Sequence, residues 1–118
     1  MDLNQLRAKG AFVKAPPVPT QVTWTHDDSE TGETVTDEFT VHVLRMSCGW
    51  LDRVFAAGRD PDRSRTATLI AEAIRFGVDG QESMTYPQAY QLDFGLASAL
   101  LEAFNTVNRK GEAASPKP

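Results

Sequence analysis

Residues 35–55 read VTDEFTVHVLRMSCGWLDRVF, and the hydrophobic pattern changes its period within this stretch. In the first half apolar and polar residues alternate, as expected for a half-buried β-strand. The alternating apolar residues are Val35, Phe39, Val41 and Val43. In the second half the apolar residues recur at helical spacing after Ser47, a residue type that favours helix N-caps. They are Trp50, Leu51, Val54 and Phe55. A strand that passes directly into a helix predicts a mixed α+β protein.

A shorter strand is predicted before this stretch. From Gln21 to Thr25, Val22 and Trp24 alternate with polar residues. The segment between the two strands, Asp27 to Glu33, contains Asp, Ser and Gly32, which are typical of a hairpin loop. We therefore expect an antiparallel β-hairpin with one polar face. Because two strands are only marginally stable alone, helices must cover its apolar face.

The sequence after the hairpin predicts a small bundle of about three to four helices. The first begins after Ser47 and can end at Gly58. The second begins after Asp62 or Ser64 and runs to about Phe76, with small residues that permit close packing. Its apolar stripe comprises Ala67, Ile70, Ala71 and Ile74.

The rest of this region predicts a turn and two further helices. Residues 76–84 favour an extended excursion or a tight hairpin around an Asp-Gly pair. Thr85 with Gln88 has the pattern of a capping box, and Asp93 can cap the closing helix. The apolar band of that helix comprises Phe94, Ala97, Leu100, Leu101, Phe104 and Val107. The expected fold is α+β, with an N-terminal antiparallel β-hairpin packed against the helices.

The chain is expected to have three parts. Residues 1–19 predict an N-terminal arm, a short helix followed by a proline-rich linker. Residues 20–108 predict a single α+β domain, and residues 109–118 have the composition of a disordered tail. The arm is either a frayed terminus or an ordered segment that packs on a neighbouring subunit.

Composition argues against several classes of function. The net charge of −4 argues against the basic face by which proteins bind nucleic acid. Cys48 is the only cysteine, so the chain forms no intramolecular disulfide. No stretch approaches the roughly 20 apolar residues of a membrane span. We expect neither nucleic acid nor membrane as a partner.

Charge is unevenly distributed along the chain. Residues 27–38 carry six acidic side chains and no basic one, whereas every basic residue from Arg45 to Arg75 is an arginine. These segments form either two solvated faces or complementary patches that join copies head to tail.

Residues suited to catalysis or metal binding are few. His26 and His42 lie on the predicted strands, where they can face each other. Only loop carboxylates are available to complete a metal site, and strand histidines on a polar face are the ordinary interpretation. Ser47, Cys48 and Ser98 lack a nucleophile elbow or a local base. The sequence therefore predicts no enzyme and no catalytic, metal-binding or cofactor-binding residue.

Apolar residues in two segments are the candidates for partner binding or self-association. Those in the arm are Leu3, Leu6, Phe12 and Val13, and those in the closing helix are Phe94, Leu101 and Phe104. The band of the closing helix is either core or a contact for an apolar helical client.

Several of these runs, in this order, resemble the tail assembly chaperones of lambda-like long-tailed phages. The matching runs are FTVHVLRMS at residues 39–47, WLDRVF at 50–55, RTATLIAEAI at 65–74, Asp79-Gly80, MTYPQA at 84–89 and residues 92–107. The resemblance is carried by ordered hydrophobic patterns and turns, and it covers most of the chain.

The resemblance implies a small α+β protein that coats the tape measure protein in the host cell cytoplasm and is absent from the mature virion. It also implies self-association and a longer form that recruits the tail-tube (major tail) protein. That form would arise by a programmed ribosomal frameshift, for which Arg109 to Glu112 is the expected region. The alternative is a minor structural protein of the phage, a head-tail or tail-completion component that stays in the virion.

Overall fold

A computed structural model of the protein describes residues 1–12 and 16–109, except the side chains at positions 57 and 58. Helices and strands are mixed along the chain, which confirms the predicted α+β class. In chain order they are α1 (Leu3–Ala8), β1 (Val18–Asp27), β2 (Thr34–Val43), α2 (Cys48–Gly58), α3 (Arg65–Ala73), β3 (Ile74–Phe76), β4 (Glu82–Ser83), α4 (Tyr86–Tyr90) and α5 (Phe94–Asn108).

The strands form one antiparallel sheet in the order β1-β2-β3-β4. The predicted hairpin is its main part, paired from Val18 opposite Val43 to Asp27 opposite Thr34. The tight hairpin predicted within residues 76–84 is also present, with Gly80 in the left-handed region at φ 72°. It adds β3 and β4 to the β2 edge, so the sheet is wider than the sequence predicted.

The two faces of the hairpin differ as the alternating pattern requires. Helix α5 packs on β1 and β2, where Val22 and Val41 are buried. The opposite face carries polar residues that bond across the strands, such as Thr25 Oγ1 with Thr36 Oγ1 at 3.0 Å. One face therefore belongs to the core and the other faces solvent.

The predicted helix caps are confirmed. Ser47 and Ser64 each accept a hydrogen bond from a backbone N–H three residues later, at 3.2 and 3.1 Å. Thr85 and Gln88 form the reciprocal capping box of α4, and Asp93 caps α5. These local signals explain why the helices begin where the sequence indicates.

The predicted end of α3 is wrong. The helix stops at Ala73, because Ile74 and Arg75 pair with β2 opposite Val43 and His42. Ile74 was expected on the helical stripe, yet it reaches the core from a strand and is fully buried. Pairing with the open edge of β2 outweighs the continuation of the helix.

The hydrophobic core lies between the apolar face of the sheet and helices α2, α3 and α5. Its largest fully buried side chains are Ile70, Ile74, Leu100, Val41, Val43 and Val54. Helix α1 contributes no buried residue. The radius of gyration, 16.3 Å, exceeds the roughly 13 to 14 Å of a compact chain of this length, in keeping with the elongated 59 × 38 × 31 Å shape.

The three-part division of the chain stays a prediction. Helix α1 does form within residues 1–19, near the position expected. Most of the tail expected to be disordered, residues 110–118, lies outside the described residues.

Candidate functional site

An apolar groove with a volume of about 310 Å³ opens between α2, α3 and α5. Its floor consists of Val54 and Phe104, which are only 1% and 4% exposed. Its walls are half-buried apolar side chains contributed by the three helices and by the segment before α2. They are Met46, Leu51, Leu69 and Leu101. The groove is therefore a shallow extension of the core to the surface.

Helices α2 and α3, which both contribute to the groove, are joined by hydrogen bonds to Glu72. The indole Nε1 of Trp50 donates to Glu72 Oε1 at 2.8 Å, and Arg53 Nη2 donates to the same oxygen at 2.9 Å. The Trp50 ring also packs against Phe104 of α5, with ring centroids 5.8 Å apart. These contacts join α2 to both α3 and α5.

Asn108 holds the other end of the groove. Its amide Nδ2 donates to the carbonyl oxygen of Leu44 at 3.1 Å, and its Oδ1 accepts from the backbone N–H of Met46 at 2.8 Å. The same Nδ2 donates to Phe104 O at 3.2 Å. One side chain thus fastens the end of α5 to the loop that leads into α2. No local signal in the sequence marks Asn108, because its partners in that loop lie more than sixty residues away.

Arginines mark the rim of the groove near the start of α3. A second, more open hollow is lined by Phe55, Arg59, Arg65 and Thr66 and continues from the groove. The guanidinium carbon of Arg65 lies 5.4 Å from the Phe55 ring centroid, a cation–π contact. Within residues 1–12 and 16–109 the ion pairs are His26–Asp37 and Arg53–Glu72. Arg59 and Arg65 therefore have no carboxylate partner in the described part of the chain.

A second cluster, at the hairpin end, joins β1 to the start of α5. The rings of Trp24 and His26 are stacked, with centroids 3.7 Å apart. Trp24 Nε1 donates to Asp93 Oδ2 at 3.1 Å, and that oxygen also accepts from the N–H of Leu96 at 3.1 Å. His26 Nε2 is 2.6 Å from Asp37 Oδ2. The hairpin is thus tied to the N-terminus of α5 by polar contacts.

Hydrogen bonds in this cluster shift two pKa values in opposite directions. The bond to Asp37 is the main cause that raises the pKa of His26 above its ordinary 6.5. The bond from Trp24, followed by that from Leu96, lowers the pKa of Asp93 below its ordinary 3.8. Both shifts favour the charged side chains, as expected for groups whose ionised forms are hydrogen-bonded.

The two histidines, which the sequence allowed to face each other, are not paired in the hairpin. His26 lies opposite Val35 and His42 opposite Pro19 in the strand register. His42 is on the polar face as expected, whereas His26 shares the face of Val22 and Trp24. The described residues contain no group of three or more His, Cys, Asp or Glu side chains placed to hold a metal ion. No helix in the described part is long and apolar enough to span a membrane.

The structure separates the predicted contact residues into three places. Leu101 and Phe104 line the groove, whereas Phe94, at the other end of α5, is 85% exposed. In the arm, Leu3 and Phe12 are exposed and Leu6 is half-buried. Val13 lies outside the described residues. The contacts of all seven with a partner stay predictions.

The groove also contains residues that the sequence alone does not mark as contact residues. Met46, Leu51 and Leu69 carried the same helical or apolar pattern as core residues, and they come from separate parts of the chain. Only the packing of three helices brings them together with Leu101.

Comparison with known proteins gives one clear result. The sequence model of a family described as phage tail assembly chaperone, TAC, matches residues 4–108. No curated protein and no solved structure matches the chain. The match includes the hairpin, the three helices that form the groove and most of the arm. The chain therefore belongs to the phage tail assembly chaperone family.

Proposed function

We propose that this protein binds the tape measure protein of its phage in the host cytoplasm and keeps it soluble until the tail tube assembles around it. The observation that carries the proposal is membership of the tail assembly chaperone family over residues 4–108. The role is one of binding and release, without catalysis, and the protein leaves the tail before the virion is complete.

The groove is the surface best suited to such binding. Its volume of about 310 Å³ is at the lower end of the range for ligand sites, so it accommodates a few apolar side chains of a client. Its walls are half-buried and its floor is core, so binding requires little rearrangement. The exposed apolar residues Leu3 and Phe12 supply a second, smaller contact from the arm.

A shallow groove implies modest affinity at each site, which suits a long client. Many copies along one tape measure protein raise the overall affinity through effective concentration. Each copy can still dissociate singly when tube subunits arrive. Self-association of the chain is part of this proposal, since neighbours on one client are held close together.

Recruitment of the tail-tube protein is assigned to a longer form made by ribosomal frameshifting near Arg109 to Glu112. The nucleotide sequence tests this part directly, because a slippery heptamer must lie in that region. A gene without such a heptamer, and infected cells in which mass spectrometry finds only the short form, would contradict it.

Co-expression with the tape measure protein of the same phage genome tests the central role. The expected result is that the tape measure protein becomes soluble only when this chain is present, and that both elute together as a large complex. A tape measure protein that stays insoluble, together with recovery of this chain from purified virions, would favour a minor structural component instead.

A further inference from the structure

The rim of the groove is positively charged, although the walls of the groove are apolar. Arg59 and Arg65 stand beside the exposed ring of Phe55 with no carboxylate partner among the described residues. The chain as a whole is acidic, with a net charge of −4. A basic rim on an acidic protein points to an anionic group on whatever occupies the groove.

We propose that the groove binds an amphipathic α-helix whose apolar stripe is flanked by Asp or Glu side chains. This inference rests on the proposed function, because it assumes that the tape measure protein supplies the helix. A groove between three helices matches the mode in which a client helix lays its apolar face between helical walls. Leu51, Leu69 and Leu101 would contact the stripe, and Arg59 and Arg65 would pair with the flanking carboxylates.

The N-terminal arm of a second copy fits the groove poorly. It has apolar residues in Leu3 and Leu6, but Arg7 and Lys9 give it the same sign of charge as the rim. Like charges placed together at an interface oppose association. The arm therefore satisfies the apolar walls and conflicts with the arginines.

The acidic hairpin loop of a second copy also fits the groove poorly. It matches the charge of the rim but not the apolar walls. Residues 27–34 read DDSETGET and carry several carboxylates but no apolar side chain. This loop can approach the arginines, yet it has nothing to place against Leu69 or Leu101. A client helix with both an apolar stripe and carboxylates satisfies the whole site.

The cation–π contact helps Arg65 to act at this position. Its guanidinium lies 5.4 Å from the Phe55 ring centroid, at the mouth of the groove. An arginine that is already placed loses less side-chain freedom when it pairs with a carboxylate.

Binding of two synthetic peptides to the full chain tests the inference. Both are amphipathic helices of about 18 residues, long enough to be partly helical, with the same leucine stripe. One carries Glu beside the stripe and the other carries Lys. We expect the Glu peptide to bind about tenfold more tightly at low salt, and the ratio to shrink as salt screens the rim.

Matched substitutions locate the effect. The pair Arg59→Gln and Arg65→Gln should weaken the Glu peptide about fivefold, as two exposed ion pairs are lost. The pair Arg7→Gln and Lys9→Gln removes the same charge from the arm and should leave binding unchanged. Thr66→Asp puts a negative charge on the rim and should weaken the Glu peptide, whereas Thr23→Asp on the polar face of the hairpin should not.

Equal affinity for the two peptides, binding of neither, or equal effects of the rim and arm substitutions would overturn the inference. The peptide experiment and the co-expression experiment can fail independently. Solubilisation of the tape measure protein without peptide discrimination overturns only the helix-and-carboxylate inference. Discrimination without solubilisation overturns the proposed function and leaves the chemistry of the groove intact.

Discussion

At the hairpin end, Trp24, His26 and Asp93 bond or stack with one another, while at the helical end Leu51, Leu69 and Leu101 surround a groove that is open to solvent. The hairpin end places its polar atoms in contacts within the chain. The helical end leaves apolar walls open to solvent and two arginines, Arg59 and Arg65, without a carboxylate partner among the described residues. Binding of a partner should therefore release more free energy at the helical end. Its apolar area can still be buried, and its arginines can still pair with carboxylates.

The two ends of α5 have different roles, one in the contact with the hairpin and the other in the groove. The N-cap residue Asp93 bonds to the hairpin, and the C-terminal half of the helix lines the groove and ends at Asn108. The same helix thus connects a structural contact to a candidate binding surface.

The largest loss of stability is expected from a substitution in the floor of the groove. Phe104→Ala should lower the free energy of unfolding by about 3 to 5 kcal/mol, because a core ring is lost and a cavity remains. Urea unfolding measures the change. Phe94→Ala is the matched control on the same helix, and it should change stability by less than about 0.5 kcal/mol because that ring is exposed. Equal losses for the two variants would contradict the assignment of Phe104 to the core.

Gly80 tests the turn that extends the sheet. A Cβ at this position would lie 2.7 Å from His42 Cγ, and the backbone has φ 72°. Gly80→Ala should therefore destabilise the fold by about 2 kcal/mol, from strain together with the clash. Gly32→Ala has a similar φ of 74° with no atom within 4 Å of the new Cβ, so it should cost less. Thermal unfolding compares them, and a larger loss for Gly32→Ala would contradict the role given to the His42 contact.

Asn108 tests the link between the groove and the loop before α2. Asn108→Ala leaves the Leu44 carbonyl and the Met46 N–H without their partner and should destabilise the fold by about 1.5 kcal/mol. Asn105→Ala, one turn earlier and exposed on the groove rim, should have little effect on urea unfolding. Peptide binding should weaken in Asn108→Ala, since the groove loses its fixed end. A variant as stable as the parent protein would show that the side-chain hydrogen bonds of Asn108 contribute nothing to stability.

Much of the fold could be predicted because its signals are local. The alternation of Val35 to Val43 and the caps at Ser47, Thr85 and Asp93 each specify an element within a few residues. The predicted end of α3 was wrong because Ile74 continues the helical spacing of Ile70. The contact that ends the helix is the pairing of Ile74 with the edge of β2. That contact depends on the folded sheet and has no local signal.

The candidate site was less predictable for the same reason. Leu101 and Phe104 could be selected because they belong to the wide apolar band of α5, which the sequence marks as either core or a client contact. In the sequence, Leu51 and Leu69 have the pattern of ordinary core residues, although they line the groove. The side chain of Asn108 bonds to a loop that is distant in the sequence. A groove formed by three helices exists only once their packing is known.

The smallest effect should come from pH at the hairpin end. The raised pKa of His26 means that its contribution to stability is fully present below pH 6.5 and is lost as pH rises through the raised value. The lowered pKa of Asp93 means that its contribution is present above pH 3.8 and is lost as pH falls through the lowered value. The polar contacts of the hairpin end should therefore stabilise the fold most between pH 3.8 and pH 6.5.

An NMR titration of the His26 ring measures this effect. The midpoint should lie above 6.5 in the parent protein and move down in Asp37→Asn, because the hydrogen-bonded carboxylate is the main cause of the shift. Peptide binding at the groove should not follow this titration. A midpoint that Asp37→Asn leaves unchanged would refute the His26–Asp37 contact.

Hydrogen–deuterium exchange of the full chain, alone and mixed with the tape measure protein, shows whether the client occupies the groove. We predict slower exchange in α2, in α3 and in the C-terminal half of α5, which surround the groove, with little change in β1 and β2. Protection confined to the hairpin, with the three groove helices unchanged, would contradict the claim that the client binds in the groove.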